Sequence, residues 1–378
     1  MNIEMQSKRE VYLDLAKFFA MIMMVAGHSF FEFADPRYYN LNEFPWNWWN
    51  FARGKTAPVF LFLSGAVHVF ANFKANNSVI DGTTFLRRVK MAFSLLVIAY
   101  VLNSPINFLS EIYQIQESKL DKFFQVNILH IFGVGLLLLA LIYRFAGSRE
   151  SVLKICLMLG ITITGLTPII SNADLSCLPP ALSNYLNYQG GSIFAVFPYL
   201  SYMFFGTVFG IWLKNSLASS KIFRIRLGAK ILLAGTFLII IGIIITKLTI
   251  YSGFEVKLRT DIGVVIRNTG IILFLIAAAR QIKFSDLTLV GVISTLSKRA
   301  IYIYVIHLFI IYGIGPLAGF KHYFGKMFTP LEGLIASLLV IILSILLTLL
   351  TDYLLKFRVT KYIFLSILGI YSIYFLIN

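Results

Sequence analysis

Apolar runs of about 20 residues recur along the whole chain, and this feature constrains the fold more than any other. A helix rises about 1.5 Å per residue, so each run is long enough to cross a lipid bilayer. Of the 378 residues, 58% are hydrophobic and 13% are charged, whereas soluble proteins are about a quarter charged. Runs such as "FLIIIGIIIT" lack the alternation of a membrane β-barrel. The sequence therefore predicts an all-α polytopic integral membrane protein.

Clusters of Gly, Pro, Asn and charged residues divide the apolar runs into about 10–11 predicted transmembrane helices. Because no soluble domain fits between them, we expect one transmembrane domain over residues 1–378, with a core at about 8–356 and an extra C-terminal helix. The first run is too long for a signal peptide and is expected to be retained. An amphipathic stretch at 284–297 is expected to lie along the inner membrane surface. The predicted spans are 11–33, 56–74, 88–109, 123–143, 152–171, 193–213, 230–250, 262–279, 299–318, 331–355 and 361–377.

The net charge of +16 is distributed unevenly between alternate loops. Loops on one side hold more than twice as many Lys and Arg residues as loops on the other, which is typical of cytoplasmic loops. We therefore expect a multi-pass protein of the cell (cytoplasmic or inner) membrane with a cytoplasmic N-terminus. The basic balance reflects this bias and does not indicate a nucleic-acid partner. Cys156 lies in a predicted span and Cys177 in the next loop, so no disulfide is expected.

The first predicted span carries ionisable residues that hydrocarbon disfavours. Lys17 and His28 are eleven residues apart, so at about 100° per residue they share one face of a helix, roughly 16 Å apart along its axis. Asp14 lies near that face, and Glu32 follows His28 by one turn. The stripe is expected to face protein or water. Alternatively, Lys17 snorkels to the inner surface and His28 is a satisfied interfacial residue.

Several motifs, in a shared order, resemble the transmembrane acyltransferase superfamily, which includes the acyltransferase-3 and heparan-α-glucosaminide N-acetyltransferase-like proteins. "REVYLDLAKFFAMIMMVAGHS" is similar to the first-helix signature, with Lys17 in place of Arg and His28 in register. The resemblance covers about residues 8 to 350. The other similar stretches are "TAPVFLFLSGAVHVF", "FLRRVKMAF", "VNILHIFGVGLLLL", "FAVFPYLSYMFFGTVFGIW" and "KRAIYIYVIHLFI".

The resemblance implies a membrane enzyme that moves an acyl group, usually acetyl, from cytoplasmic acyl-CoA to a glycan or lipid-linked sugar acceptor. Acyl-CoA is then a co-substrate, and no permanently bound cofactor is expected. The chemistry fits O-acetylation or N-acetylation in polysaccharide modification. Membrane lipids are the other expected partner, and the sequence leaves homo-oligomerisation open. The sequence contains no HExxH motif, Cys cluster, phosphate-binding Gly loop or GxSxG motif, so no metal site is expected.

His28 is the predicted catalytic residue, because acyl transfer needs a base or, less simply, a nucleophile, and imidazole can serve as either near neutral pH. Glu32 or Asp35 could orient its ring, although Glu32 as a loop-facing acid is an equal alternative. Positive charge is needed for the CoA phosphates. The predicted donor-binding residues are Lys17, Asp14, Arg87 and Arg88, with His68 near the donor. The predicted acceptor or pocket residues are Asn127, His130, Arg53, Arg267 and His307.

Structural roles compete with several of these assignments. His130 could make a structural hydrogen bond, His307 could serve only packing, and Arg267 could snorkel. Ser64 and Gly65 are expected to let two helices approach closely. At the level of the whole protein, the alternative is a proton-coupled transporter of a small polar molecule, but no interrupted helices repeat between the two halves. A glycan-processing protein with a lipid-linked donor is a third hypothesis.

Overall fold

The structure is a computed structural model. The structure describes residues 10–72, 79–106, 109–114, 117–218, 226–253, 257–282, 286–314 and 317–357, with scattered single positions beyond. The predicted C-terminal helix at 361–377 lies almost entirely outside the described residues.

Helices make up most of the described chain, with one two-stranded antiparallel hairpin. In chain order the elements are α1 (Val11–Phe33), α2 (Trp46–Arg53), α3 (Thr56–Asn72), α4 (Gly82–Leu102), α5 (Glu117–Phe124), α6 (Ile128–Phe145), α7 (Arg149–Asn172), α8 (Pro180–Leu186), α9 (Val196–Leu217), α10 (Leu227–Tyr251), α11 (Ile262–Gln281), α12 (Leu287–Lys298), α13 (Ala300–Tyr312), β1 (Gly313–Ile314), β2 (Leu317–Ala318), α14 (Phe320–Phe324) and α15 (Pro330–Leu354).

Eight helical segments in the described residues are long and apolar enough to cross a membrane. The count becomes nine if α12 and α13, which meet at a bend of 66°, form one broken span. The expected all-α polytopic membrane protein is thus confirmed. The eleventh predicted span lies almost entirely outside the described residues, so the total of 10–11 stays a prediction. Helix α4 corresponds to a predicted span but is less apolar, since it carries Arg87, Arg88 and Lys90.

Helix ends are set by capping side chains more than by the limits of the apolar runs. The span expected at 123–143 begins only at Ile128, because Asn127 caps it by accepting the amide of Leu129 at 3.0 Å. Helix α15 begins with a capping box, in which Thr329 and Glu332 bond each other's backbone amides. The span expected at 299–318 ends at Tyr312, because Gly313 adopts φ of +81° and opens the hairpin.

The chain divides into two compact units that interleave in sequence. The first unit comprises residues 1–17, 57–100 and 124–290, and the second comprises 18–56, 101–123 and 291–378. Helix α1 is therefore divided between the units, so that Lys17 belongs to the first and His28 to the second. The single transmembrane domain stays a prediction.

Close backbone contact joins α3 and α9 in the first unit. A methyl group added at Gly65 would collide with the carbonyl of Met203, and one added at Gly206 would collide with the carbonyl of Phe62. Glycine is therefore required at both positions for the two helices to approach this closely. The role expected of Gly65 agrees with this geometry, and the neighbouring Ser64 is buried.

In the second unit, the segment after the hairpin is bound to the end of α1. Lys326 donates its amide to the carbonyl of Glu32 and Phe328 to that of Phe33, both at 3.0 Å. In turn, Asp35 donates its amide to the carbonyl of Phe328 at 2.8 Å. These three main-chain bonds fix the 317–329 segment to the last turn of α1, one turn beyond His28.

Candidate functional site

Two histidines from distant parts of the sequence form a hydrogen-bonded pair in the second unit. His28 on α1 and His307 on α13 are separated by 279 residues, yet Nδ1 of His28 lies 3.0 Å from Nε2 of His307. The ring of Tyr304 lies 4.9 Å from that of His307 and 6.1 Å from that of His28. His307 is fully buried, whereas His28 keeps part of its surface accessible. The pair thus combines a fully buried imidazole with a partly accessible one.

The hydrogen bond allows one arrangement that suits a base. If Nδ1 of His28 carries the proton and donates it to His307, then Nε2 of His28 is unprotonated and can accept a proton from a substrate. His307 then carries its own proton on Nδ1. In the structure that atom is buried without a hydrogen-bond partner. His307 can therefore hold the ring of His28 in the tautomer that a general base needs.

The two carboxylates expected near His28 have other partners. Glu32 accepts a hydrogen bond from the hydroxyl of Tyr312 at 2.9 Å. It also forms an ion pair with Lys321 at 2.8 Å. Asp35 is paired with Arg37, and this guanidinium holds the pKa of the carboxyl below its usual value. In the structure the hydrogen-bond partner of the His28 ring is His307.

Arg53, an expected acceptor-contacting residue, packs along the turn of α1 that carries His28. Its aliphatic stem lies against Gly27, where a side chain would collide with it, and its guanidinium lies 3.7 Å from the ring centroid of Phe31. It also donates to Asn50 at 3.1 Å. The structure thus places Arg53 and His307 in the same unit as His28.

The expected donor-binding cations belong to the first unit. Lys17 is 8% exposed and its ammonium lies 5.5 Å from the ring centroid of Phe60. Arg88 directs two N–H groups at the amide oxygen of Asn72, at 3.0 and 3.3 Å. His68 interacts electrostatically with both cations. Lys17, His68 and Arg88 therefore form a basic cluster.

The remaining donor-side candidates differ in exposure. Arg87, on the same helix as Arg88, points to the surface, whereas Asp14 is buried. The amide nitrogen of Asn72 is buried without a hydrogen-bond partner. Asn72 was not anticipated from the sequence, although it follows His68 by one turn on the same helix.

His130 has a structural explanation in the first unit. Its Nδ1 accepts the backbone amide of Asn127 at 3.1 Å, which completes a capping box at the start of α6. Its ring packs edge-on against Tyr100, with centroids 4.5 Å apart. The predicted substrate contact of His130 and Asn127 is not needed to account for this geometry.

Arg267 is partly buried on α11 in the first unit, and its Nε has no hydrogen-bond partner. The adjacent Asn268 donates to the hydroxyl of Tyr202 at 3.0 Å. The structure therefore places Arg267 in the first unit, and its role at an acceptor stays a prediction.

Three residues around the histidine pair were not singled out from the sequence as site residues. Tyr304 precedes His307 by three residues, so helical spacing could have placed it on the same face. Tyr312 and Lys321 reach Glu32 from residues 280 or more positions later in the chain. No local pattern could have indicated those contacts.

Comparison with known families supplies independent information. The model of the heparan-α-glucosaminide N-acetyltransferase catalytic family matches residues 9–242, which is more than half of the chain. The match includes His28 and the basic cluster and ends before α13, which carries His307. Among curated proteins, no match was found. The match concerns one of the two branches named from the sequence, and the acyltransferase-3 branch stays a resemblance.

Proposed function

The chain belongs to the heparan-α-glucosaminide N-acetyltransferase catalytic family, and from this premise we propose that it transfers an acetyl group from cytoplasmic acetyl-CoA to a glycan or other cell-surface acceptor. The acceptor atom is the nitrogen of an amino sugar or a sugar hydroxyl oxygen. The observation that carries the proposal is the position of His28. It lies within the region matched by the family, its ring is partly accessible, and one imidazole nitrogen is bonded to His307.

In the proposed reaction His28 acts as the general base. Its Nε2 takes the proton of the acceptor N–H or O–H as that atom attacks the thioester carbonyl. The tetrahedral intermediate then collapses, the carbon–sulfur bond breaks and CoA leaves as the thiolate. The imidazolium returns the proton to that sulfur, so the histidine is regenerated. His307 acts as a positioning residue that fixes the tautomer of His28.

The basic cluster of Lys17, His68 and Arg88 supports an anionic donor. Cationic side chains form strong hydrogen bonds with phosphates, which CoA carries, and all three residues lie within the region that the family model matches. The unpartnered amide nitrogen of Asn72 offers a further donor at this cluster. We assign the cluster to the phosphates or pantetheine arm of acyl-CoA.

The proposed orientation has the N-terminus in the cytoplasm, in the cell (cytoplasmic or inner) membrane. The excess of Lys and Arg in the loops on that side supports it. Acetyl-CoA then reaches the protein from the cytoplasm, and the acceptor lies on the opposite side. This polarity agrees with a basic end and an imidazole end along α1.

The proposal can be tested with purified protein in lipid nanodiscs and radiolabelled acetyl-CoA. Glucosamine and a membrane glycan fraction serve as acceptors, and the variant is His28→Ala. The matched control is His322→Ala, which removes an exposed histidine. We expect wild type and the control to label an acceptor and His28→Ala to lose at least about a hundredfold in rate. Equal transfer by His28→Ala would reject the role of His28, and absence of transfer by wild type to either acceptor would reject the activity.

A further inference from the structure

Glu32 connects the two helices that carry the histidine pair. Its carboxylate accepts the hydroxyl of Tyr312 at 2.9 Å. Glu32 follows His28 by four residues and Tyr312 follows His307 by five, so the contact lies roughly 6 to 8 Å along each helix from the pair. Two contacts in the same order show that α1 and α13 run side by side in the same direction here. The Glu32–Tyr312 bond is therefore a second cross-link, about one turn from the first.

The surroundings of Glu32 make this cross-link specific. Lys321 pairs with its other oxygen at 2.8 Å, and the backbone carbonyl of Glu32 accepts the amide of Lys326. The side chain of Glu32 is 19% exposed, whereas that of Lys321 is 48% exposed. Tyr312 is 44% exposed, so both partners of Glu32 are partly exposed. Tyr312 is the partner that belongs to α13, and its bond is therefore the one that links α13 to α1.

We propose that Glu32 is a positioning residue, which aligns His28 with His307 by holding the end of α13 through Tyr312. It acts neither on the substrate nor directly on the ring of His28. The inference rests on the proposed function for the importance of the histidine pair. Glu32 acts on the register of α1 against α13. A small displacement of either helix separates Nδ1 of His28 from Nε2 of His307, and a general base is sensitive to displacements of about 1 Å.

Three variants separate positioning from direct catalysis. Glu32→Met removes the hydrogen-bond acceptor, Tyr312→Phe removes the donor, and Glu32→Gln keeps an oxygen that can accept from Tyr312 but removes the charge. A positioning role predicts that Glu32→Gln rescues most of what Glu32→Met loses. Glu43→Gln is the matched control, because this exposed carboxylate bonds only Asn40 among the contacts described.

The first readout needs no substrate. Histidines are labelled with diethylpyrocarbonate, and each site is quantified by mass spectrometry. We expect His307 to be labelled at least about threefold faster in Glu32→Met and Tyr312→Phe than in wild type, Glu32→Gln or Glu43→Gln. His130 is buried in the first unit and is the internal reference, because its labelling rate should be the same in every variant. Unchanged labelling of His307 in Tyr312→Phe would overturn the inference, even where Glu32→Met fails to fold.

The second readout is acetyl transfer from acetyl-CoA to glucosamine or the glycan fraction. We expect kcat to fall at least about tenfold in Glu32→Met and in Tyr312→Phe, with an unchanged KM for acetyl-CoA. The double variant Glu32→Met/Tyr312→Phe should have a kcat no lower than that of the less active single variant, because each single substitution removes the same hydrogen bond. Independent, multiplicative losses would overturn the inference. If wild type transfers no acetyl group, the proposed function fails and the labelling readout alone decides the inference.

Discussion

At the scale of single residues, the sequence could single out His28 as a candidate but not its hydrogen-bond partner. His28 is an ionisable residue in an apolar run, in register with a family motif, and both signals are local. His307 was expected only as an acceptor or pocket residue, because contact across 279 residues leaves no local pattern. Glu32 was expected to orient His28 from its one-turn spacing, yet spacing allows a contact without requiring it. Tyr312 and Lys321 are its partners instead.

The bond between the histidines predicts a graded effect of substitutions at His307. Gln can still accept a hydrogen bond from Nδ1 of His28, whereas Leu cannot. We expect His307→Leu to lower kcat for acetyl transfer about a hundredfold and His307→Gln about tenfold. Steady-state kinetics with labelled acetyl-CoA would measure both. Equal losses in the two variants would show that His307 serves packing alone.

The basic cluster predicts a defect in donor binding. Arg88→Gln removes a charge that we assign to CoA, so the KM for acetyl-CoA should rise about tenfold, which is about 1.4 kcal/mol, while kcat changes little. The control is Lys154→Gln, since Lys154 is an exposed cation already paired with Glu150 at 2.8 Å. A fall in kcat with an unchanged KM for acetyl-CoA would argue against phosphate recognition by Arg88.

At the scale of elements, hydrophobicity predicted most helices but not their ends. The helix expected at 88–109 begins at Gly82, because Asp81 accepts the amide of Thr84 and the hydroxyl of Thr83. A polar cap can thus start a helix ahead of its apolar run. For the contact between α3 and α9, the sequence predicted only the contribution of α3. The "LSG" motif indicates close approach but does not identify the partner helix.

That contact predicts which glycines tolerate a methyl group. Gly206→Ala would force the side chain against the carbonyl of Phe62, and overpacking of this kind costs about 1–3 kcal/mol. Gly165→Ala is the matched control on α7, because nothing lies within 4 Å of the added carbon. We expect a lower Tm for Gly206→Ala, measured by size-exclusion chromatography after heating, and a Tm for Gly165→Ala equal to or above that of wild type. Equal values for the two variants would contradict the packing argument.

At the scale of the whole molecule, composition was sufficient for the class of protein and insufficient for its internal division. The excess of apolar residues dictates a helical membrane protein, because hydrocarbon leaves backbone groups no partners outside a helix or a closed barrel. The division into two interleaved units depends on tertiary packing that brings residues 18–56 together with 291–378. No composition shift marks those boundaries. The total of 10–11 expected spans stays a prediction, because the segment at 361–377 lies almost entirely outside the described residues. The bend of 66° between α12 and α13 is a feature that apolarity does not reveal.

The orientation of the chain can be tested with its two native cysteines. Cys177 is exposed and lies in the loop between the spans expected at 152–171 and 193–213, which the proposed orientation places outside the cytoplasm. Cys156 is buried and serves as the internal control. In spheroplasts of a bacterial expression host, a membrane-impermeant maleimide should label wild type but not Cys177→Ser. Labelling of Cys177 only after lysis would show that the chain has the opposite orientation. The basic cluster could then no longer receive acetyl-CoA from the cytoplasm, and the direction of transfer proposed for His28 would have to be reversed.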